Sequence, residues 1–190
     1  MSVISANDLT LTDLSVSRVR SLMTGDASLE KDVVSHVLRR NSTDPSSTSD
    51  SLTLSPDAVA FFHAEKLLSA RPSFPLSEFT AEWKRSLPHQ LTSYAPPPSL
   101  LSTLATSSHD PKIGDDVLSY FPAAALPPSP AARLAALFAH LPAWDVAAVG
   151  PYLEGALGEG EKVEALLLKH AVFLKDEKGE ETRVGPKPEV

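Results

Sequence analysis

Few residues in this chain are spaced for catalysis. The six histidines are His36, His63, His89, His109, His140 and His170. No two stand four apart on a helix around a glutamate, the spacing that points two imidazoles at one zinc ion. There is no cysteine, so thiol chemistry, disulfides and cysteine-ligated zinc are excluded. "GALGEGEKVEAL" (155–166) puts glycines before a helix. It has no preceding strand and no Gly-Lys-Ser/Thr, so it reads as a turn, not a phosphate loop. No Gly-x-Ser-x-Gly elbow occurs. Asp115-Asp116 and Glu180-Glu181 fall in turn or strand-edge context and read as solvated surface. The expectation is a protein without catalytic residues, metal or cofactor.

Binding chemistry is better represented. Lys162, Lys169 and His170 lie on or near the last helical stretch, with Lys175, Lys178 and Arg183 on the hairpin after it. These are the DNA-contact candidates. Glu159, Glu161, Glu164, Asp176, Glu177, Glu180 and Glu181 are interleaved with them and offset much of their pull on phosphate. Arg39-Arg40 and Lys84-Arg85 are cleaner pairs and are the partner-docking candidates. The net charge of −7 argues against a free-standing nucleic-acid binder, which draws its affinity from lysine and arginine on phosphates. No apolar run reaches the roughly 20 residues of a membrane span. "MSVISANDLT" lacks a signal peptide's basic start and apolar middle. A soluble intracellular protein is expected.

The elements that carry these residues follow from apolar spacing and punctuation by 17 prolines. Leu11, Leu14, Val19 and Leu22 suggest a first helix, and Leu29, Val33, Val37 and Leu38 one apolar face of a second. "NSTDPSSTSDS" (41–51) is too polar to pack and reads as a disordered wing or loop with serines open to phosphorylation. "SLTLS" (51–55) alternates like a strand. Ser55-Pro56 opens a helix. Leu76, Phe79, Trp83 and Leu87 form a helical stripe that Pro88 ends. Leu100, Leu101 and Leu104 predict a short third helix, and "DVLSYF" (116–121) a strand.

Ser129-Pro130 opens the next helix, with Leu134, Leu137, Phe138 and Leu141 on one face. Trp144 reads as a short extended element and Asp145 as the next cap. Pro151 is expected to restart or kink the helix from Val146, turning Tyr152 and Leu153 inward. Val163, Leu166 and Leu167 give the last helix, and "AVFLKDEKGEETRV" (171–184) a hairpin. Phe79, Trp83, Leu137, Phe138, Trp144, Tyr152, Leu153, Leu166 and Leu167 are the expected core. The two tryptophans read first as core, and second as partner-facing anchors.

The recurring order of helix, short strand, helices and hairpin predicts a mainly α chain of about three tandem winged-helix units with small β wings. The boundaries are 1–55 (an incomplete unit with the polar loop 41–51), 56–126 and 127–190.

"FTAEWKRSLP" (79–88), "LPPSPAARLAALFAHLPAWDVAAVGPYL" (126–153) and "VEALLLKHA" (163–171) together resemble the sister chromatid cohesion protein Dcc family, a non-catalytic subunit of the alternative replication factor C clamp loader. The likeness runs well from Phe74 to Arg183 and weakly from Val3 to Ser55. An arginine often follows the family's "KYA"-like triplet, where this chain has Val172. The resemblance implies winged-helix domains in the C-terminal half, ATPase sites in other subunits, and a nuclear location. It also implies partners: the other clamp-loader subunits, DNA polymerase epsilon, the sliding clamp indirectly, and DNA weakly. The family's β-rich N-terminal half has no match here, so a C-terminal piece or shortened gene model is expected. The expected function is a non-enzymatic adaptor that docks the loader to polymerase epsilon and DNA at forks and supports cohesion. Two alternatives remain open: a stand-alone winged-helix DNA-binding protein, and a plain helical interaction scaffold.

Overall fold

The computed structural model describes residues 9–22, 28–158, 160–175 and 181–187. β1 (Leu14–Ser15) runs directly into α1 (Val16–Leu22), followed by α2 (Ser28–Arg40). β2 (Ser51–Leu52) returns antiparallel to β1, with Leu14 opposite Leu52. α3 (Pro56–Ala70) begins where the Ser55 hydroxyl accepts from the Ala58 amide, and Pro56 takes the first position, whose N–H would have no partner. β3 (Ser73–Pro75) leads straight into α4 (Leu76–Ser86). A hairpin follows, β4 (Ala105–Asp110) and β5 (Asp115–Tyr120), giving the sheet order β3-β5-β4. Gly114 closes its turn at φ +70°, and its amide donates to the Asp110 carbonyl.

The remaining elements are α5 (Pro130–His140), β6 (Trp144–Asp145), α6 (Val146–Leu153), α7 (Val163–His170), β7 (Ala171–Lys175) and β8 (Glu181–Pro186). The last sheet has the order β6-β8-β7 and pairs Trp144 with Val184.

Two compact units result. The first runs to Leu100 and includes Ser108–Leu118; the second takes Leu101–Ser107 and the chain from Ser119 onward. The first unit buries Leu11, Leu14, Val16, Val19, Leu52 and Leu54 around β1 and β2. Further along, Phe74 and Phe79 meet edge to face at 5.7 Å, and Trp83 donates its indole N–H to the Ala60 carbonyl at 2.8 Å. In the second unit Leu134, Leu137, Trp144, Val149, Tyr152, Leu153, Leu166, Leu167 and Val184 form one core, with Phe138 partly buried against it. Trp144 donates its indole N–H to the Leu137 carbonyl at 2.9 Å.

The fold class differs from the expected mainly α tandem of winged helices. Among the described residues about half are helical and about a fifth are strand, in three small antiparallel sheets, so the architecture is mixed α/β. Ala105–Asp110 has no apolar alternation, and only its pairing in the sheet makes it a strand. The third helix expected at Leu100–Leu104 is a single 3-10 turn, Pro98–Leu101.

Smaller differences have equally local causes. Pro151 does not restart α6, which continues through it to Leu153, and Tyr152 and Leu153 turn inward as expected; their burial offsets the hydrogen bond the proline ring removes. Asp145 makes no side-chain cap bond. Residues 41–51 form an ordered loop. Arg39 donates to the carbonyls of Ser47, Thr48 (3.4 Å) and Ser49 (2.9 Å), so a cation from α2 organises a segment too polar to pack.

Candidate docking surface

α4 holds its side chains in three settings: buried, ion-paired and exposed. Phe79 and Trp83 are buried. Glu78 forms a two-pronged ion pair with Arg71, at 2.6 and 3.0 Å. That pairing holds the Glu78 carboxyl below its ordinary range and raises Arg71, mainly through the hydrogen bonds between them. Arg71 also lies 4.1 Å from the centre of the Phe74 ring. The outward face carries Ala81, Lys84 and Arg85, all exposed. Across from it, the turn His89–Leu91 brings His89 and Thr92 to the far wall of an open groove of about 580 Å³, with Leu87 at its base.

The far wall is anchored. The Leu11 amide donates to Gln90 Oε1 at 2.7 Å, and Gln90 Nε2 donates to the Leu9 carbonyl at 3.2 Å. Thr92 donates to the His89 carbonyl at 2.5 Å. Among the described residues, neither Lys84 nor Arg85 has an ion-pair partner. The groove therefore combines unpaired cations, an apolar base and fixed walls. Gln90 has no signal in the sequence, because its role depends on a contact some eighty residues away in the chain.

The other candidates are placed as follows. Arg40 is exposed at the end of α2, whereas Arg39 is taken up by the 41–51 loop. Lys162, Lys169 and Lys175 are exposed, and His170 is half-buried. Arg183 lies 3.7 Å from Asp145 and donates to the Ala143 carbonyl at 3.3 Å. Lys187 donates to the Leu168 and Lys169 carbonyls, capping α7. Lys178 lies outside the described residues. Val33 and Val37, expected on a buried face of α2, are 57% and 48% exposed; of that stripe Leu38 turns inward. Val37, Phe61 and Phe62 line a shallow cleft of about 310 Å³ between α2 and α3.

The second unit keeps its most constrained cation inside. Arg133 is 7% exposed and donates to three main-chain carbonyls: Pro127 at 2.7 Å, Tyr152 at 2.7 Å and Leu126 at 3.2 Å. The 126–129 connector and the end of α6 are thereby tied to α5. A side chain on Gly155 would begin 3.1 Å from this guanidinium, so the close approach depends on glycine. Beside it, Phe121 stacks on His140 at 3.9 Å, and His140 Nε2 lies 3.0 Å from the Thr106 hydroxyl. Burial pushes His140 below its ordinary value and Tyr152 up to about 12. Among the described residues, no three His, Asp or Glu side chains converge as a metal-ligand set.

The sister chromatid cohesion protein Dcc1 family model matches residues 1–153. The chain belongs to that family. The match includes the N-terminal stretch, where the sequence likeness is weak, along with the blocks 79–88 and 126–153. It ends before the block 163–171. Membership carries a role in sister chromatid cohesion, interaction with cohesion- or replication-related proteins, and a setting at chromatin or in the nucleus. No curated protein matches the chain. Among the described residues no helix is long and apolar enough to cross a membrane.

Proposed function

We propose that this Dcc1-family chain is a non-enzymatic nuclear adaptor of a cohesion-linked, replication factor C-like clamp loader. It docks the loader to DNA polymerase epsilon at forks and so supports sliding-clamp loading. The observation that carries this reading is the family match over residues 1–153, which takes in the helices of both basic pairs and the groove beside Lys84 and Arg85. The test is a pull-down with the catalytic half of polymerase epsilon at about micromolar concentration. Retention on the resin supports the proposal, and absence of retention contradicts it.

Direct DNA contact is the second reading, supported by exposed Lys162, Lys169 and Lys175. Titration with duplex DNA at two salt concentrations decides it. Phosphate contacts give an affinity that falls as salt rises, by close to one power of salt per contact. Undetectable or salt-insensitive binding removes this reading.

A further inference from the structure

We propose that the groove between the end of α4 and the His89–Leu91 turn is a docking site for an acidic peptide segment of a protein partner. This deepens the adaptor reading and rests on it for the partner's identity, though not for its chemistry. The first observation is the charge of the groove's lining, which includes Lys84 and Arg85 and no carboxylate. Glu82 stands three residues before Arg85, a spacing that permits an ion pair, yet none forms. Lys84 and Arg85 thus reach the groove without a carboxylate partner among the described residues.

The second observation is the wall those cations face. His89 adds a ring N–H donor, and Thr92 adds a hydroxyl at the same wall. Leu87, 8% exposed, and the Ala81 methyl give apolar ground between them. Gln90 fixes the wall to residues 9–11, so the groove exists before anything binds and little ordering entropy is lost on binding. Near helix termini cations often do no more than offset the C-terminal dipole. That role needs no facing wall and no donor at 89.

The third observation is scale. Two lysine or arginine charges over a short groove are too few to follow a duplex backbone, where affinity grows with each phosphate contacted. They match a few carboxylates spaced along an extended segment, with an apolar residue seated on Leu87. The overall charge of −7 makes this patch a local reversal of sign, which steers an acidic partner to it.

The test uses the full chain and a short fluorescein-labelled peptide of glutamates with interspersed leucines, followed by anisotropy. Binding should weaken about tenfold or more in Lys84→Glu/Arg85→Glu, with a smaller loss in Lys84→Gln/Arg85→Gln. Lys169→Glu/Lys175→Glu should leave it unchanged. Circular dichroism of each variant confirms that it is folded. Absence of peptide binding overturns the proposal, as does binding that ignores the α4 substitutions. Duplex DNA displacing the peptide from the wild-type chain with higher affinity than the peptide's own also overturns it, in favour of a nucleic-acid groove. If polymerase epsilon is retained while the peptide is not, the groove is refuted and the adaptor reading stands. The converse result refutes the adaptor reading alone.

Discussion

Trp83 and Trp144 hold comparable places in the two units. Each is 4% exposed, and each donates its indole N–H to a carbonyl of a preceding helix, Ala60 for one and Leu137 for the other. Around these anchors Arg133 and the Lys84-Arg85 pair put positive charge to different uses. The second unit buries a cation, Arg133, and uses it to satisfy three carbonyls. The first uses Arg39 and Arg71 locally, in the 41–51 loop and against Glu78, and leaves Lys84 and Arg85 outside, where they meet no carboxylate among the described residues. A buried cation serves the fold because removing it strands its partners. An exposed, unpaired one contributes little to stability and is free to meet another molecule.

The largest effect should come from Arg133. Arg133→Met leaves three carbonyls short of a donor and should cost roughly 3 kcal/mol or more in urea unfolding. Arg133→Lys, which cannot reach all three, should fall between. A loss below about 1 kcal/mol would erase the contrast between the units, because ordinary surface positions cost about that or less. Next come the anchors themselves. Trp83→Phe and Trp144→Phe each remove one buried hydrogen bond and part of a packed ring. Each should cost about 1–3 kcal/mol, and similar values would confirm that the two tryptophans do equivalent work.

The units should also differ in acid. Asp44, Asp50, Glu78 and Asp115, all in the first unit, are held below their ordinary values. The Ser15 hydroxyl, then Ser17, donates to Asp50; the Ser77 hydroxyl and amide donate to Asp115. Each carboxylate thus secures the start of a helix whose first-turn amides lack partners: Asp50 that of α1, and Asp115 that of α4. A carboxyl lowered by folding stabilises above its unfolded value of 3.8, and that stabilisation is lost as pH falls through the lower folded value. Asp50→Asn/Asp115→Asn should therefore weaken the first unit at neutral pH and flatten its acid dependence below 3.8. Tryptophan emission from single-tryptophan variants separates the units.

His140 gives the second unit a different dependence. Burial lowers its folded value beneath 6.5, so its contribution is complete above 6.5 and declines as pH falls below it. His140→Gln should remove that decline. The smallest stability effect belongs to Lys84→Glu/Arg85→Glu, within about 0.5 kcal/mol, as expected of exposed side chains without partners.

Much of this contrast was legible in the sequence. The stripe Leu76, Phe79, Trp83, Leu87 has helical spacing, and Ser55-Pro56 announces a helix start, because both signals are local. Family likeness was legible from the ordered blocks around Trp83 and Trp144. The strand Ala105–Asp110 was not, because nothing in "ATSSHD" alternates and its partner strand supplies the reason to be extended. Nor was Arg133. A single arginine in an alanine- and leucine-rich helix looks solvated until the proline-rich connector folds back and offers its carbonyls. Arg39 misled in the reverse sense: adjacent to Arg40, it looked free for a partner, yet it holds the 41–51 loop. The Lys84-Arg85 pair was visible as two cations, but the wall opposite depends on Gln90 reaching residues 9–11.

The central proposal is that the first unit's outward cations, not the lysines of the second unit's last helix and hairpin, meet a protein partner of the clamp-loader machinery. Its most direct test compares three chains in one pull-down with the catalytic half of polymerase epsilon: wild type, Lys84→Glu/Arg85→Glu and Lys169→Glu/Lys175→Glu. The predicted result is retention of the wild type and of the second-unit variant, with loss of the α4 variant. Retention of the α4 variant at the wild-type level, or loss confined to the second-unit variant, would contradict it.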